Sequence, residues 1–555
     1  MKASVSNERT EDHGVEKNVV EMDRILVEEV GQFGWYQRRS LLLLAAVMVM
    51  SGWQAEYIFT AARVNTRCEI PECESTLDQE FTPLWLLNAI PGSSFTDFEN
   101  CQRFNTTIIV INTTVADVIN GTCPAALFDQ SNTILCDSYV YETTDSVVYD
   151  YDLACDEWRR SLIGSIRTVG TLVALPITGY VSDRWGRRTA LALNAFNSGW
   201  IGLTRYWART YIGFVVSQFV EAALGSGITS CVFVLILELV GPKYRVPIGA
   251  TMNTCFALGQ VTLGLIAWAV PNWQKLTLAL YIPQLFTITY FWLVAESVRW
   301  YMCKGRYEKA EKVLIEVARV NKTVLSEKSL QALHKSATEE KRRQAQAREQ
   351  QAQEPLLLVL LWRNKRVLLR CCVTPVWWIT TTFIYYGLSI NSVNMSGNMY
   401  VNYMAVSAIE VPGYWVAAAL LGRVGRKPVL AIAFWACSIC QIVYLFLPDN
   451  LYGASLTVYM FGKFFISVVV AGIYIYTPEL FPTRYRHRLF AFSSMMGRIG
   501  SITAPLTPAF GDSLPFILFG SLALVAGLLM LFTPETLGAR VPDSMEDANN
   551  INNKK

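Results

Sequence analysis

The feature that most restricts what this chain can fold into is a duplication. GYVSDRWGRR (Gly179 to Arg188) is followed about 240 residues later by LLGRVGRKP (Leu420 to Pro428), so Gly186-Arg187-Arg188 returns as Gly425-Arg426-Lys427. Two further anchors keep nearly the same offset. Glu238-Leu-Val-Gly-Pro-Lys-Tyr-Arg245 returns as Glu479-Leu-Phe-Pro-Thr-Arg-Tyr-Arg486, and Glu296-Ser-Val-Arg-Trp returns as Glu535-Thr-Leu-Gly. Each charged signature lies between long apolar stretches. A hydrophobic half repeated in this way is the plan of parallel-repeat secondary transporters, and it places a binding site between the halves near the bilayer midplane.

Composition agrees. Hydrophobic residues make up 52% of the 555 and charged residues 17%, against about 25% charged in soluble domains, which points to a polytopic membrane protein. The three histidines (His13, His334, His487) are scattered without cysteine or carboxylate at ligand spacing, so no metal site is expected. Gly462-Lys463 lacks the upstream glycine of a phosphate-binding loop and is followed by Phe, which disfavours ATP-driven pumping. Neither a nucleophile elbow nor paired catalytic carboxylates occur, so an enzyme, a cofactor and a nucleic-acid partner are not expected. The first 39 residues are polar and of mixed charge, unlike a signal peptide.

Runs of about 20 apolar residues can cross a hydrocarbon core of roughly 30 Å. Twelve are present, at about 41–62, 160–181, 189–207, 210–237, 248–270, 276–295, 370–390, 401–421, 428–447, 453–476, 488–510 and 514–532. Basic residues after spans two (Arg184, Arg187, Arg188), four (Lys243, Arg245), eight (Arg423, Arg426, Lys427) and ten (Arg484, Arg486, Arg488) share one side, which the positive-inside bias makes cytoplasmic. The expected plan is a cytoplasmic N-terminus (1–40), a six-helix half (41–295), a cytoplasmic linker (296–369) with a solvated helix over 326–354, a second half (370–533) and a cytoplasmic tail (534–555).

The segment 63–158 falls outside on this reading. It contains Cys68, Cys73, Cys101, Cys123, Cys136 and Cys155, an even set that predicts three disulfides with 15 pairings open. Three glycosylation sequons, at Asn105, Asn112 and Asn120, cluster in the same segment and support the same orientation. Asn394-Met-Ser sits close to span seven, and Asn321-Lys-Thr falls inside and should be silent.

Together these anchors resemble the major facilitator superfamily. The long Cys-rich first loop, Gly34-Trp35-Tyr36-Gln37 before span one and Glu296-Ser-Val-Arg-Trp after span six narrow the resemblance to the organic cation, organic anion and carnitine transporter family, from about Gly31 to Gly538. The resemblance implies an all-α membrane protein of twelve transmembrane helices in two six-helix halves, working by alternating access in the plasma membrane. Sugar porters share the Gly-Arg-Arg loops and Pro534-Glu535-Thr536, but span seven has no Gln-Gln pair. Two departures stand out. Gly422 replaces the acidic counterpart of Asp183, and Gln218 and Glu221 stand where the family commonly has Arg and Gln, so the charge network of the N-terminal half should be wired differently.

Burying a charge at mid-bilayer costs about 2.5–3.5 kcal/mol even on lenient scales, so each such charge needs a partner or a task. The first half carries Glu56, Arg167 and Glu221; the second carries Glu410, Lys463 and Arg498. Trp53, Glu56, Tyr57 and Thr60 fall on one helical face, suited to an ammonium through cation–π contact and ion pairing; the alternative is a structural Glu56–Arg167 bridge. Trp378, Thr381, Thr382 and Tyr385 repeat the geometry in span seven, and by resemblance Trp378 and Tyr385 line the cavity. Lys463 adds a positive charge, with Tyr474 on its face three turns on, unless Lys463 and Glu410 neutralise each other. By resemblance, Arg498 marks anion- or carnitine-type members where cation-type members carry Asp, and its fork suits a carboxylate. The resemblance also makes Asp183, Arg187, Arg188, Glu238, Arg245, Arg426, Glu479 and Arg486 a cytoplasmic gate. The expected substrate is a small organic zwitterion or anion, with organic cations as the alternative class; a coupled proton, sodium ion or exchanged organic ion completes the set of partners. A sugar porter or a non-transporting membrane sensor is a weaker alternative.

Overall fold

A computed structural model of the chain describes residues 22–74, 80–95, 97–106, 123–327, 357–448, 451–511, 513–539, 542 and 545–549. Lipid offers no partner for backbone N–H and C=O, so apolar runs of this length satisfy themselves as helices. All twelve runs do so. They are α1 (Trp35–Thr60), α2 (Glu157–Trp185), α3 (Arg187–Leu203), α4 (Tyr211–Leu239), α5 (Pro242–Ala269), α6 (Trp273–Leu293), α7 (Lys365–Asn394), α8 (Met399–Leu420), α9 (Arg426–Leu445), α10 (Tyr452–Glu479), α11 (Arg486–Thr503) and α12 (Leu514–Met530). Nine are long and apolar enough to cross a membrane by length and composition. The other three are short or polar: α3 and α11 open on paired basic residues and continue as 3-10 turns (Thr204–Trp207 and Ala504–Phe510), and α12 has 17 residues. Several helices outrun the apolar windows because a helix continues past the hydrocarbon into the headgroup layer. Helix α4 is two pieces, Tyr211–Gly225 and Ile228–Leu239. At the break, Gly225 lies against the backbone of Ser198 and Gly227 against the side chains of Thr178 and Asn194, with no room for a Cβ.

Within the first half α1 packs on α5, α2 on α4, and α3 on α6; within the second, α7 packs on α11 and α9 on both α10 and α12. Between halves α5 meets α8, and α2 meets α11 and the turn after it. On the face carrying the Cys-rich loop this seam is aromatic. Phe59 stacks on Tyr400 (5.5 Å) and meets Tyr403 edge-on (4.9 Å), and Tyr400 lies parallel to Trp268 (6.4 Å). Nearby, Ser165 Oγ donates to the Ile502 carbonyl (2.8 Å).

The loop itself is built on three antiparallel two-stranded sheets: Thr66–Cys68 with Tyr139–Tyr141, Gly92–Ser94 with Asp97–Phe98, and Gln102–Thr106 with Phe128–Leu135. Its cysteines pair as Cys68–Cys136, Cys73–Cys123 and Cys101–Cys155, resolving the 15 alternatives. So small a core (Ile70, Leu86, Ala89, Ile90, Phe128 and the cysteines) depends on such cross-links. Asn105 lies in the strand Gln102–Thr106, whereas Asn112 and Asn120 fall outside the described residues, as does nearly all of the linker helix expected over 326–354. The helix Tyr307–Asn321 ends under α1. There the Asn321 carboxamide accepts from Tyr36 N (3.0 Å) and donates to the Val30 carbonyl (3.0 Å) and Gln37 Oε1 (3.0 Å).

Candidate functional site

The duplicated signatures meet in space. Gly186 precedes α3 at φ +110° and Gly425 precedes α9 at φ +122°, a backbone that favours glycine. Each glycine admits a glutamate onto the helix start that follows. Glu296 Oε1 accepts from the Arg187 and Arg188 amides (2.8 and 3.2 Å); Glu535 accepts from the Arg426 and Lys427 amides (3.0 and 2.9 Å). A carboxylate at a helix N-terminus answers both the orphan amides and the dipole. The two caps differ in charge balance. Burial pushes the Glu296 carboxyl above its ordinary value despite its amide donors. At Glu535 burial acts the same way, but the amides of Leu537, Arg426, Lys427 and Thr536 together hold it below.

Several of the residues expected to form a gate lie near these caps. Arg187 pairs with Asp183 (2.9 Å) and Glu238 (3.9 Å), and Arg426 pairs with Glu479 (3.2 Å). Arg188 places its guanidinium over Phe291 (4.5 Å), and Arg486 donates to Thr483 Oγ1 (3.2 Å). Arg245 is half-buried near the start of α5. These pairs join helices of one half.

The charges in the first half form one buried cluster. Arg167 binds Glu221 and donates to Gln218 Oε1 (2.7 Å). Arg205 binds Glu56 and also reaches Glu221 Oε2 (2.8 Å) and the Tyr281 hydroxyl (2.9 Å). Glu56 Oε1 further accepts from Gln218 Nε2 (3.0 Å) and Tyr281 (3.1 Å), and Ser198 Oγ donates to Glu221 Oε1 (2.8 Å). The alternative of a Glu56–Arg167 bridge is therefore corrected as to partner: Arg205 is the cation of Glu56. Glu56 is 1% exposed, so it does not present an open acidic face with Trp53 and Tyr57. Trp53 turns to α5, where its Nε1 donates to Thr262 Oγ1 (3.0 Å), and Tyr57 lines a narrow cleft with Arg160, Ser161 and Pro505. Sequence reasoning missed Arg205 because it stands near the end of the third apolar run, in what the structure shows to be the 3-10 turn after α3, and is not among the charges assigned to mid-membrane. The exchange of Gln218 and Glu221 for the family's Arg and Gln was the available signal: once the α4 cation is lost, Arg167 and Arg205 supply it from neighbouring elements.

In the second half Lys463 is fully buried. Its Nζ lies 3.0 Å from Glu410 Oε1, 2.8 Å from the Tyr385 carbonyl and 2.7 Å from Ser389 Oγ. Glu410 Oε2 accepts from the hydroxyls of Tyr385 (2.7 Å) and Tyr414 (2.9 Å). Tyr474, three turns on along the same helix, is by contrast 51% exposed. Trp378 is buried, with Nε1 donating to Thr477 Oγ1 (3.1 Å), and lies beneath Tyr474 (4.7 Å) and Phe490 (5.6 Å). Of this aromatic group it is therefore Tyr474 that presents an open face. Arg498 is half-buried beside it, one residue after Gly497, which rests on Trp378.

This arrangement matches known proteins along nearly its whole length. The profile of the family described as Sugar (and other) transporter matches residues 127–544. The chain belongs to that family. Among curated relatives, an organic cation transporter protein of Drosophila melanogaster is 29% identical over 95% of both chains. The organic cation/carnitine transporter 2 of Rattus norvegicus is 28% identical over 93% of this chain and 92% of its own. Among solved structures, the xylose transporter XylE from E. coli in a partially occluded inward-open conformation aligns at TM-score 0.57 and 14% identity, covering 90% of this chain and 98% of that one. The fold is that of the major facilitator transporters, a membrane protein of two helical halves, and the relatives of the chain are transporters of the organic cation and carnitine type.

Proposed function

We propose that the protein carries small organic ions bearing a carboxylate, and that Arg498 holds that group. One observation carries this reading. Of the six charges placed near mid-bilayer from the sequence, Glu56, Arg167, Glu221, Glu410 and Lys463 are each bonded to an opposite charge, while Arg498 has no acidic partner among the described residues. An arginine left unneutralised at membrane depth suits a bidentate anion. Tyr474 beside it offers a face for the rest of the substrate, including the amine end of a zwitterion, whereas Glu56 is already committed to Arg205. The relatives named for carnitine support zwitterions; the Drosophila relative supports organic cations as the second reading.

In this reading the protein sits in the plasma membrane with both termini cytoplasmic, the Cys-rich loop outside, and the Gly-Arg loops forming a gate. A net-neutral zwitterion gains nothing from the membrane potential, so its accumulation needs a coupled proton or sodium ion, or an exchanged organic ion. The test is uptake of a matched cation, zwitterion and anion by cells expressing the wild type or Arg498→Asp at equal surface level. Carboxylate uptake should be abolished and cation uptake retained or gained. Wild-type carboxylate uptake by Arg498→Asp would refute the assignment.

A further inference from the structure

The surroundings of Lys463 have the make-up of an ammonium-binding cage. A carboxylate oxygen of Glu410, the Tyr385 carbonyl and Ser389 Oγ meet the three N–H donors at 2.7–3.0 Å, and Nζ stands 3.5 Å from the centre of the Tyr385 ring. Carboxylate, carbonyl, hydroxyl and aromatic face converging on one point are the groups that recognise a primary alkylammonium. The two tyrosine hydroxyls on Glu410 Oε2 turn the other carboxylate oxygen toward that point. The cage draws on three helices, α7 (Tyr385, Ser389), α8 (Glu410, Tyr414) and α10 (Lys463), so it is assembled by the fold of the second half and not by one local sequence.

We propose that this is a cation-binding site permanently occupied by the chain's own lysine, and that Lys463 is thereby a specificity-determining residue: it keeps primary organic ammonium ions out of the second half. The site is separate from Arg498, and its test does not depend on the carboxylate assignment.

Truncating Lys463 to alanine removes three methylenes and an ammonium, the outline of n-propylammonium. The experiment measures saturable binding of labelled n-propylammonium to purified full-length protein, with 1-propanol, a neutral molecule of the same shape, as competitor. Lys463→Ala should bind n-propylammonium where the wild type shows no saturable binding. 1-Propanol should not compete, and Glu410→Gln added to Lys463→Ala should weaken binding at least tenfold. Equal binding by the wild type, competition by 1-propanol, or indifference to Glu410→Gln would each overturn the proposal. If Lys463→Ala is recovered poorly because Glu410 is left uncompensated, n-propylammonium in the growth and purification media should raise recovery of folded protein where 1-propanol does not. Recovery unchanged by the amine overturns the proposal. A purely structural ion pair predicts the opposite pattern, with Lys463→Ala/Glu410→Gln recovered and neither protein responding to the amine.

Discussion

Arg205 provides the sharpest test of the cluster in the first half. Replacing it with methionine keeps much of the side-chain volume and removes the guanidinium. Glu221 keeps Arg167, but Glu56 is left with neutral donors only, Gln218 and Tyr281. Removing one partner of a buried ion pair costs about 3–5 kcal/mol, because the remaining charge stays desolvated. If the six-helix half unfolds as a unit of about 250 residues, at about 2–4 °C per kcal/mol, the apparent Tm should fall by roughly 6–20 °C. The assay is thermal unfolding of detergent-purified protein at one fixed scan rate, since membrane-protein unfolding is commonly irreversible. Glu56→Gln alone should cost less, because Arg205 retains Glu221 at 2.8 Å. Arg205→Met with Glu56→Gln should recover at least half of the loss. A fall below about 2 °C, or a double variant no better than Arg205→Met alone, would refute the view that Arg205 is the cation neutralising Glu56.

Three other outcomes are expected. Glycosylation should be found on at least one of Asn105, Asn112 and Asn120 and not on Asn321, whose amide nitrogen is held by Val30 and Gln37; mass spectrometry of peptides before and after deglycosylation decides this, and a glycan on Asn321 would invert the assigned sidedness. Serine at any of the six loop cysteines should lower surface expression more than serine at Cys437 or Cys440, since a structural disulfide in a small domain contributes about 2–5 kcal/mol; surface biotinylation measures it. At pH 7 Glu535→Gln should lower thermal stability more than Glu296→Gln. The depressed Glu535 value means its charged form stabilises the fold at neutral pH and that this stability is lost as pH falls through the folded value, whereas the raised Glu296 value means its charge opposes stability until acid relieves it. Equal melting curves for the two variants would contradict this sign.

Periodicity and charge placement carried most of the architecture. Twelve apolar runs became twelve helices, and the paired Gly-Arg and Glu motifs proved to be matching halves of two helix caps. What the sequence concealed was partnership. A helical wheel puts Glu56 with Trp53 and Tyr57, but it says nothing of which neighbouring helix faces them, and Arg205 arrives from the 3-10 turn that ends the third run. Likewise Lys463 and Tyr474 are three turns apart on one helix, yet one is fully buried in an ion pair and the other stands half exposed over Trp378. Resemblance identified Trp378 as cavity-lining; depth behind Tyr474 and Phe490 is a property of packing between helices, which no single-helix pattern encodes.

The internal pairing of buried charges has an electrical consequence. Arg167, Arg205, Glu56 and Glu221 sum to zero within the first half, and Lys463 and Glu410 sum to zero within the second. Each half can therefore rock as a rigid body without carrying net charge from these groups through the transmembrane field, which acts on a single charge with about 2.3 kcal/mol per 100 mV. If Arg498 holds the cargo as proposed, the voltage sensitivity then falls to Arg498, its cargo and any coupled ion. In the proposed reading an organic anion seated on that arginine cancels it, so the carrier loaded with an anion crosses the field nearly silent and the empty one returns with a charge exposed to it, whereas a zwitterion leaves one positive charge in both states. Membrane potential would in this way act on the return step, setting how readily the vacant site is presented to each side.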